Sequence, residues 1–236
     1  MSRPLAVVTG ASSGIGEAIA RRLLAADWRV AGISRRPGTI QHEGYKHIEA
    51  DLSSPAALSL AAETILREEG PLEVLINNAG VGYFAPHEEL SMAQIEEMVR
   101  VNLLAPLLLS KILLRAIKSS QGWIINISSF SAHERSSFGA VYAATKAGLK
   151  HFSDSLFDEV RKSGTKIVTI CPDITRTPFY DDLSFAPEDD PAAAIRPESI
   201  AETVIHILSQ EDGAIVSEIV MRPQRLLLKK RKRSTN

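Results

Sequence analysis

Short apolar runs of strand length alternate with longer runs of helical periodicity from one end of the chain to the other, and this alternation limits the fold more than any other feature. The strand-like runs are Leu5–Thr9, Arg29–Ser34, Lys46–Glu49, Leu72–Asn77, Trp123–Ser128, Lys166–Cys171 and Ala214–Met221. Between them Ile15–Ala26, Pro55–Glu69, Met92–Ser119, Tyr142–Lys162 and Pro197–Ser209 carry helical spacing. Strand-then-helix order predicts an α/β fold with a parallel sheet covered by helices on both faces. Parallel strands need long crossovers, and right-handed crossovers leave few topologies. At 236 residues and 44% hydrophobic content, the chain suits one domain over residues 1–225 and leaves little for a second. Residues 177–196 show no clear period and are crowded with prolines and acidic residues. A stretch that long in a compact domain predicts a lid over a site.

Composition removes several classes of function. A net charge of −1 gives no general affinity for nucleic acid. The basic run Lys229–Arg233 is read as part of a solvated tail, 226–236, so neither a nucleic-acid nor a membrane partner is expected. The longest apolar candidate for a membrane span, Leu103–Leu114, is interrupted by Pro106, Ser110 and Lys111. The single cysteine, Cys171, forbids an internal disulfide framework and fits a reducing cytoplasm. Met1-Ser-Arg-Pro-Leu5 runs directly into a strand without a signal-peptide pattern, so a cytoplasmic location is expected. The six histidines lack metal-ligand spacing, and no metal is expected.

Thr9-Gly-Ala-Ser-Ser-Gly-Ile-Gly16 joins the first strand to the first helix. Gly10 permits a tight turn. Gly14 and Gly16 remove side chains that would hold a pyrophosphate off the backbone, and the amides of the following helix face the anion. The second strand ends in Ser34-Arg35-Arg36, where an acidic residue would hold the ribose 2′-hydroxyl of NAD. Arginine instead pairs with a 2′-phosphate, which favours NADP. Further on, Tyr142 and Lys146 stand four residues apart in a helical run, on one face. A cation beside a phenol is expected to lower the phenol pKa from about 10, so that the tyrosine can exchange protons with a carbonyl or alcohol oxygen near neutrality.

Taken together these motifs resemble the short-chain dehydrogenase/reductase family, in its order and through most of the chain. The resemblance implies a single Rossmann-type, doubly wound domain and an NADP cofactor. It implies that Gly10, Ser12, Ser13, Gly14, Ile15 and Gly16 form the cofactor loop, and that Asp51 and Leu52 contact the adenine. Asn78, Ala79 and Gly80 would support the sheet beside the cofactor. Pro172, Thr175 and Thr177 would follow strand six, with Thr177 near the nicotinamide carboxamide. Asp173 departs from the family pattern, which has glycine there. Ser13 also departs, because many NADP-using members carry a basic residue at that point.

The catalytic set implied by the resemblance is Asn102, Ser129, Tyr142 and Lys146. Ser129 lies thirteen residues before Tyr142, the family interval, with Ser128 as its rival. Ser129 would hydrogen-bond a carbonyl oxygen and Tyr142 would protonate it. Lys146 would tune the tyrosine and hold the nicotinamide ribose, while Asn102 would anchor a water chain. The function expected is hydride transfer between the nicotinamide and a small carbonyl or secondary-alcohol substrate. A catalytically silent NADP-binding regulator is the alternative. The runs Leu103–Ala116 and Tyr142–Lys162 carry more apolar positions than one buried stripe needs, and in the family these helices pair across a two-fold axis. A homodimer or homotetramer is therefore expected. Tyr83, Phe84, Phe130, Phe138, Phe179, Tyr180 and Phe185 fall near the expected site and predict an apolar pocket with an aromatic rim.

Overall fold

The structure is a computed structural model and describes residues 3–211 and 213–230. Seven strands form one parallel sheet: β1 (Leu5–Thr9), β2 (Arg29–Ser34), β3 (Tyr45–Glu49), β4 (Leu72–Asn77), β5 (Trp123–Ile127), β6 (Lys166–Pro172) and, past a short strand β7 (Phe185–Pro187), β8 (Glu218–Met221). Their spatial order is β3-β2-β1-β4-β5-β6-β8, with parallel pairing at every step. The chain winds outward one way from β1 through β2 to β3 and the other way from β4. The reversal opens a crevice at the carboxyl ends of β1 and β4, where doubly wound sheets bind ligands.

Alternation along the strands feeds two cores. Leu5 and Val7 of β1 point to one face, with Leu75, Ile124 and Ile167 of neighbouring strands. They meet Leu58 and Ile65 of α2 (Pro55–Glu68), Leu109 and Leu113 of α4 (Ala105–Ser119) and Leu156 of α5 (Ala140–Val160). Ala6 and Val8 point to the other face, against Ile19 and Leu23 of α1 (Gly14–Ala25) and Ile200 and Val204 of α6 (Pro197–Leu208). Period-two side-chain direction explains why one apolar strand serves both layers. This is a Rossmann-type single-domain fold.

Local chemistry sets the helix ends. Ser54 caps α2, with Pro55 in the first helical position. Ser91 and Gln94 form a reciprocal capping box at α3 (Met92–Val99). The run read from sequence as one helix, Met92–Ser119, is instead α3, a π-helical turn at Arg100–Leu104, and α4. Pro106 has no N–H to offer the Asn102 carbonyl one α-turn back, so regular α geometry cannot persist there.

Two further expectations change. The last sheet strand begins at Glu218 rather than Ala214. Residues 228–230, placed by the sequence in a solvated tail, form a strand, β9 (Leu228–Lys230), antiparallel to β7. Residues 231–233 of the basic run lie outside the described residues. The lid stretch 177–196 is ordered by short 3-10 turns at Pro178–Tyr180 and Pro191–Ala193 and by β7. Among the described residues no helix is long and apolar enough to cross a membrane.

Candidate active site

A cavity of about 1050 Å³ runs along the crevice at the carboxyl end of the sheet. Gly10, Ser12, Ser13, Gly14 and Ile15 line one end, with Ser34, Arg35, Arg36, Asp51, Leu52, Asn78, Ala79 and Gly80. Ser129, Tyr142, Lys146, Pro172, Thr175 and Thr177 line its middle. Two of the expected site residues, Gly16 and Asn102, stand behind the wall.

The glycine loop fits a dinucleotide by its backbone. Gly10 and Gly14 sit at φ +67° and +58°, a region costly for other residues. Ser13 is the N-cap of α1 but makes no side-chain cap, so the first-turn amides have no side-chain acceptor and are placed for an anion. Gly16 has another role than the one expected. A β-carbon there would strike the Gly10 carbonyl and the Asn78 amide, so this glycine lets α1 close against the loop rather than making way for phosphate. Asn78 donates to the Thr9 carbonyl at 2.8 Å. The Thr9 hydroxyl accepts the N–H groups of Asn78 and Ala79 at 2.9 and 3.0 Å. Thr9, absent from the expected set, thereby locks the ends of β1 and β4 together.

At the end of β2, Ser34 is buried and donates to the Arg36 carbonyl at 2.8 Å. Arg35 and Arg36 are exposed. Asp51 accepts from both the N–H and the hydroxyl of Ser53, which hold its carboxyl below the usual range, with Arg35 adding a smaller pull.

The floor of the site joins β5, α5 and the π turn. Ser128 and Ser129 follow β5. Ser128 spends its hydroxyl on the Lys146 carbonyl at 2.8 Å. Ser129 accepts the Ser131 N–H at 3.2 Å and turns its own hydroxyl towards the Tyr142 phenol oxygen. Tyr142 and Lys146 enter from α5 on one face, the ammonium 5.9 Å from the phenol ring centre. Lys146 is 3% exposed and donates to the Ile127 carbonyl at 3.0 Å. Asn102 is fully buried. Its side chain clamps Val81, accepting from the N–H and donating to the carbonyl, each at 2.8 Å, and also donates to the Thr145 hydroxyl. The amide group is thus committed to protein.

Electrostatics correct one expectation. Burial pushes the Tyr142 phenol up to about 12, opposed only by the nearby Ser129 hydroxyl. Burial also pulls Lys146 down to about 8. Desolvation of both groups outweighs the attraction expected from their spacing. Cys171 is buried, and its thiol is raised to about 12 by burial and then by Glu218, so it is a poor nucleophile.

Three potential metal ligands from separate segments, His133, Cys171 and Glu218, lie within 4.8 Å of one another, which sequence spacing could not reveal. Glu218 already meets His133 at 2.6 Å and Lys150 at 3.3 Å, so its carboxylate is occupied by protein partners.

Beyond Tyr142 the wall is aromatic. Phe84 lies 5.3 Å from the Tyr142 ring and 5.3 Å from Phe185, and Phe179 lies 5.9 Å from Tyr142. Leu226 and Leu228 line the same end. These leucines carry no local motif; only their pairing partner, far away in sequence, brings them to the cavity.

A family model described as short chain dehydrogenase matches residues 4–186. An uncharacterized oxidoreductase of Staphylococcus epidermidis is 29% identical over 226 residues, covering 93% of this chain and 96% of that protein. The structure of an alcohol dehydrogenase from the archaeon Thermococcus sibiricus, complexed with 5-hydroxy-NADP, superposes with a TM-score of 0.84 at 26% identity, over 94% of this chain and 97% of that one. A metagenomic short-chain oxidoreductase in complex with NADP is 32% identical, with a TM-score of 0.78, over 93% and 96% of the two chains.

Proposed function

The chain belongs to the short-chain dehydrogenase family, and from that premise we propose that it is an NADP(H)-dependent carbonyl reductase or alcohol dehydrogenase with Tyr142 as its proton donor. The observation that carries this reading is the convergence of Ser129, Tyr142 and Lys146 on one cavity with the open glycine loop and Arg35. The two similar structures that hold NADP or its derivative support the cofactor assignment.

Bound NADPH supplies a hydride to the carbonyl carbon. The first-turn amides of α1 would hold the pyrophosphate, Arg35 and Arg36 the 2′-phosphate, and Thr175 and Thr177 the carboxamide side. As the carbonyl oxygen gains negative charge, Ser129 donates a hydrogen bond to it and Tyr142 gives it a proton. A phenol raised to about 12 by burial holds its proton at neutral pH and can give it to the carbonyl oxygen as that oxygen gains charge. Lys146 stands next to replenish charge and to hold the ribose. Asn102 positions this machinery through Val81 and Thr145 rather than meeting substrate.

NADPH oxidation with a panel of ketones, diketones and β-keto esters tests the reading. Turnover of at least one is expected, with NADPH bound more tightly than NADH. Binding of NADPH without turnover of any carbonyl would reject it and favour a regulator.

Apolar residues of α4 and α5 at the edge of the core, among them Leu108, Leu114, Phe152 and Phe157, remain only half-buried in one chain. They support a homodimer or homotetramer built through these helices. Light scattering at micromolar concentration is expected to give twice or four times the chain mass, and a stable monomer would contradict it.

A further inference from the structure

The nucleotide half of the cavity leaves unexplained why the opposite half is built from rings and leucines. We propose that the space beyond Tyr142 is a subsite for the ring-sized apolar group of a neutral ketone or its secondary alcohol, with Phe84 and Phe179 setting the preference and Leu226 and Leu228 roofing it. This substrate class rests on the carbonyl reductase reading above.

The rings form a connected set from separate segments. Phe84 meets Phe185 edge-on at 87°, Phe179 meets Tyr180 at 77°, and Phe84 meets Phe179 at 81°. Edge-to-face sets of this kind present both ring faces and ring edges, the two surfaces on which a further aromatic group packs well. The chain makes room for them. A β-carbon at Gly82 would crowd both Phe179 and Phe84, and one at Gly139 would come within 2.9 Å of Phe84. Phe138, at the rim, is 64% exposed and held at φ +62°, a backbone region unfavourable to a bulky side chain.

The roof is fixed in place from the far end of the chain. β9 pairs Leu228 opposite Pro187. The Leu227 carbonyl accepts the Glu188 N–H at 3.1 Å, and the Ala192 carbonyl accepts the Arg225 N–H at 2.9 Å. Lys229 adds an ion pair to Asp189 at 2.7 Å. Yet Leu226 and Leu228 remain 61% and 43% exposed while lining the cavity. Apolar surface held open by main-chain pairing is surface that an apolar ligand would cover.

Charge selects against an anionic substrate. The cations lining this half are Arg135 and Arg222. Arg222 lies 4.3 Å from the Phe130 ring and 3.5 Å from Asp173, which neutralises it. Arg135 is on the exposed stretch after His133, at the rim. Glu89 and Glu134, also lining the cavity and exposed, would repel a carboxylate further. A 2-oxo acid would bring its charge to a wall of rings where the one buried cation among the described residues, Lys146, sits behind Tyr142 and already donates to the Ile127 carbonyl.

The test compares acetophenone, 2-octanone and phenylpyruvate as substrates with NADPH, and measures binding of acetophenone to the protein–NADP⁺ complex by saturation-transfer NMR. Wild type is expected to show kcat/KM for acetophenone at least about tenfold above 2-octanone and about a hundredfold above phenylpyruvate, the range that pocket complementarity supplies. Phe179→Leu and Phe84→Leu, which keep apolar volume, should each lower the acetophenone-to-octanone ratio several-fold. The acetophenone NMR signal should weaken in both. Phenylpyruvate turned over as well as acetophenone, or ratios unmoved by both variants, overturns the subsite while leaving the reductase reading intact. Acetophenone binding that depends on Phe84 and Phe179, without turnover of any carbonyl, overturns the reductase reading and leaves the subsite standing.

Discussion

At one end of the cavity Gly10, Gly14 and the first turn of α1 offer main-chain N–H groups; at the other, Phe84, Phe179, Phe185 and Leu228 offer rings and methyls. The first end comes from a few consecutive residues between one strand and one helix. The second draws on four segments spread over residues 84–228 and on the β7–β9 pairing. A backbone site recognises what every dinucleotide shares, whereas a side-chain site recognises what one substrate has. The contrast predicts that variants at the junction of the two ends separate chemistry from cofactor binding, and that variants at the nucleotide end change cofactor choice without touching substrate choice.

The largest effect is expected at the junction. Tyr142→Phe removes one oxygen and should cut single-turnover NADPH oxidation by about 10²–10⁴, while NADPH titration stays near wild type. Retention of more than about a tenth of the turnover would show that the phenol is not the proton donor. Next comes the nucleotide end. Arg35→Asp should weaken NADPH binding by about tenfold to a hundredfold and raise relative use of NADH, with the preference among ketones unchanged. Calorimetric titration with both cofactors reads this, and a wild type that prefers NADH would contradict it.

The smallest effect is a pH limb. Lys146 is lowered to about 8 by burial, so it carries its charge below that pH and loses it above. Reductive kcat/KM for NADPH, which reports groups of the free enzyme, should therefore fall as pH rises through about 8. Lys146→Arg should lack that limb. A wild-type profile flat to pH 10 would remove Lys146 from the titrating machinery.

The same contrast governs what could be read in advance. β1, β2 and β4 match their sequence-level bounds because continuous apolar runs between turn signals leave little choice. The glycine loop was legible because a turn, a strand end and a helix start must follow one another in the chain. Gly16 shows the limit of that reading, since whether a missing side chain serves a ligand or a neighbouring carbonyl depends on packing. Leu228 and Lys229 looked like tail because a three-residue strand has no periodicity of its own and exists only through Phe185–Pro187. Likewise, four-residue spacing places Lys146 beside Tyr142, but the balance between attraction and burial is decided by β5, the π turn and the aromatic wall around them.

The π turn at Arg100–Leu104 also sets the phase of everything after it. Met98, Val101, Asn102, Ala105, Leu109, Leu113 and Ile117 are all buried, and Ile117 stands nineteen residues after Met98. At roughly 100° per residue, nineteen regular α-helical steps overshoot about five full turns by roughly 100°, which would carry the end of α4 off the sheet. One residue absorbed in the wider turn cancels that drift, so the buried line runs straight along both helices. Converting residues 100–104 to regular α-helix at unchanged length would rotate Leu109, Leu113 and Ile117 towards the outside, whereas deleting one of these residues would regularise the helix and leave that line in phase. The irregularity that seats Asn102 against Val81 is therefore also what keeps α4 in register with the sheet.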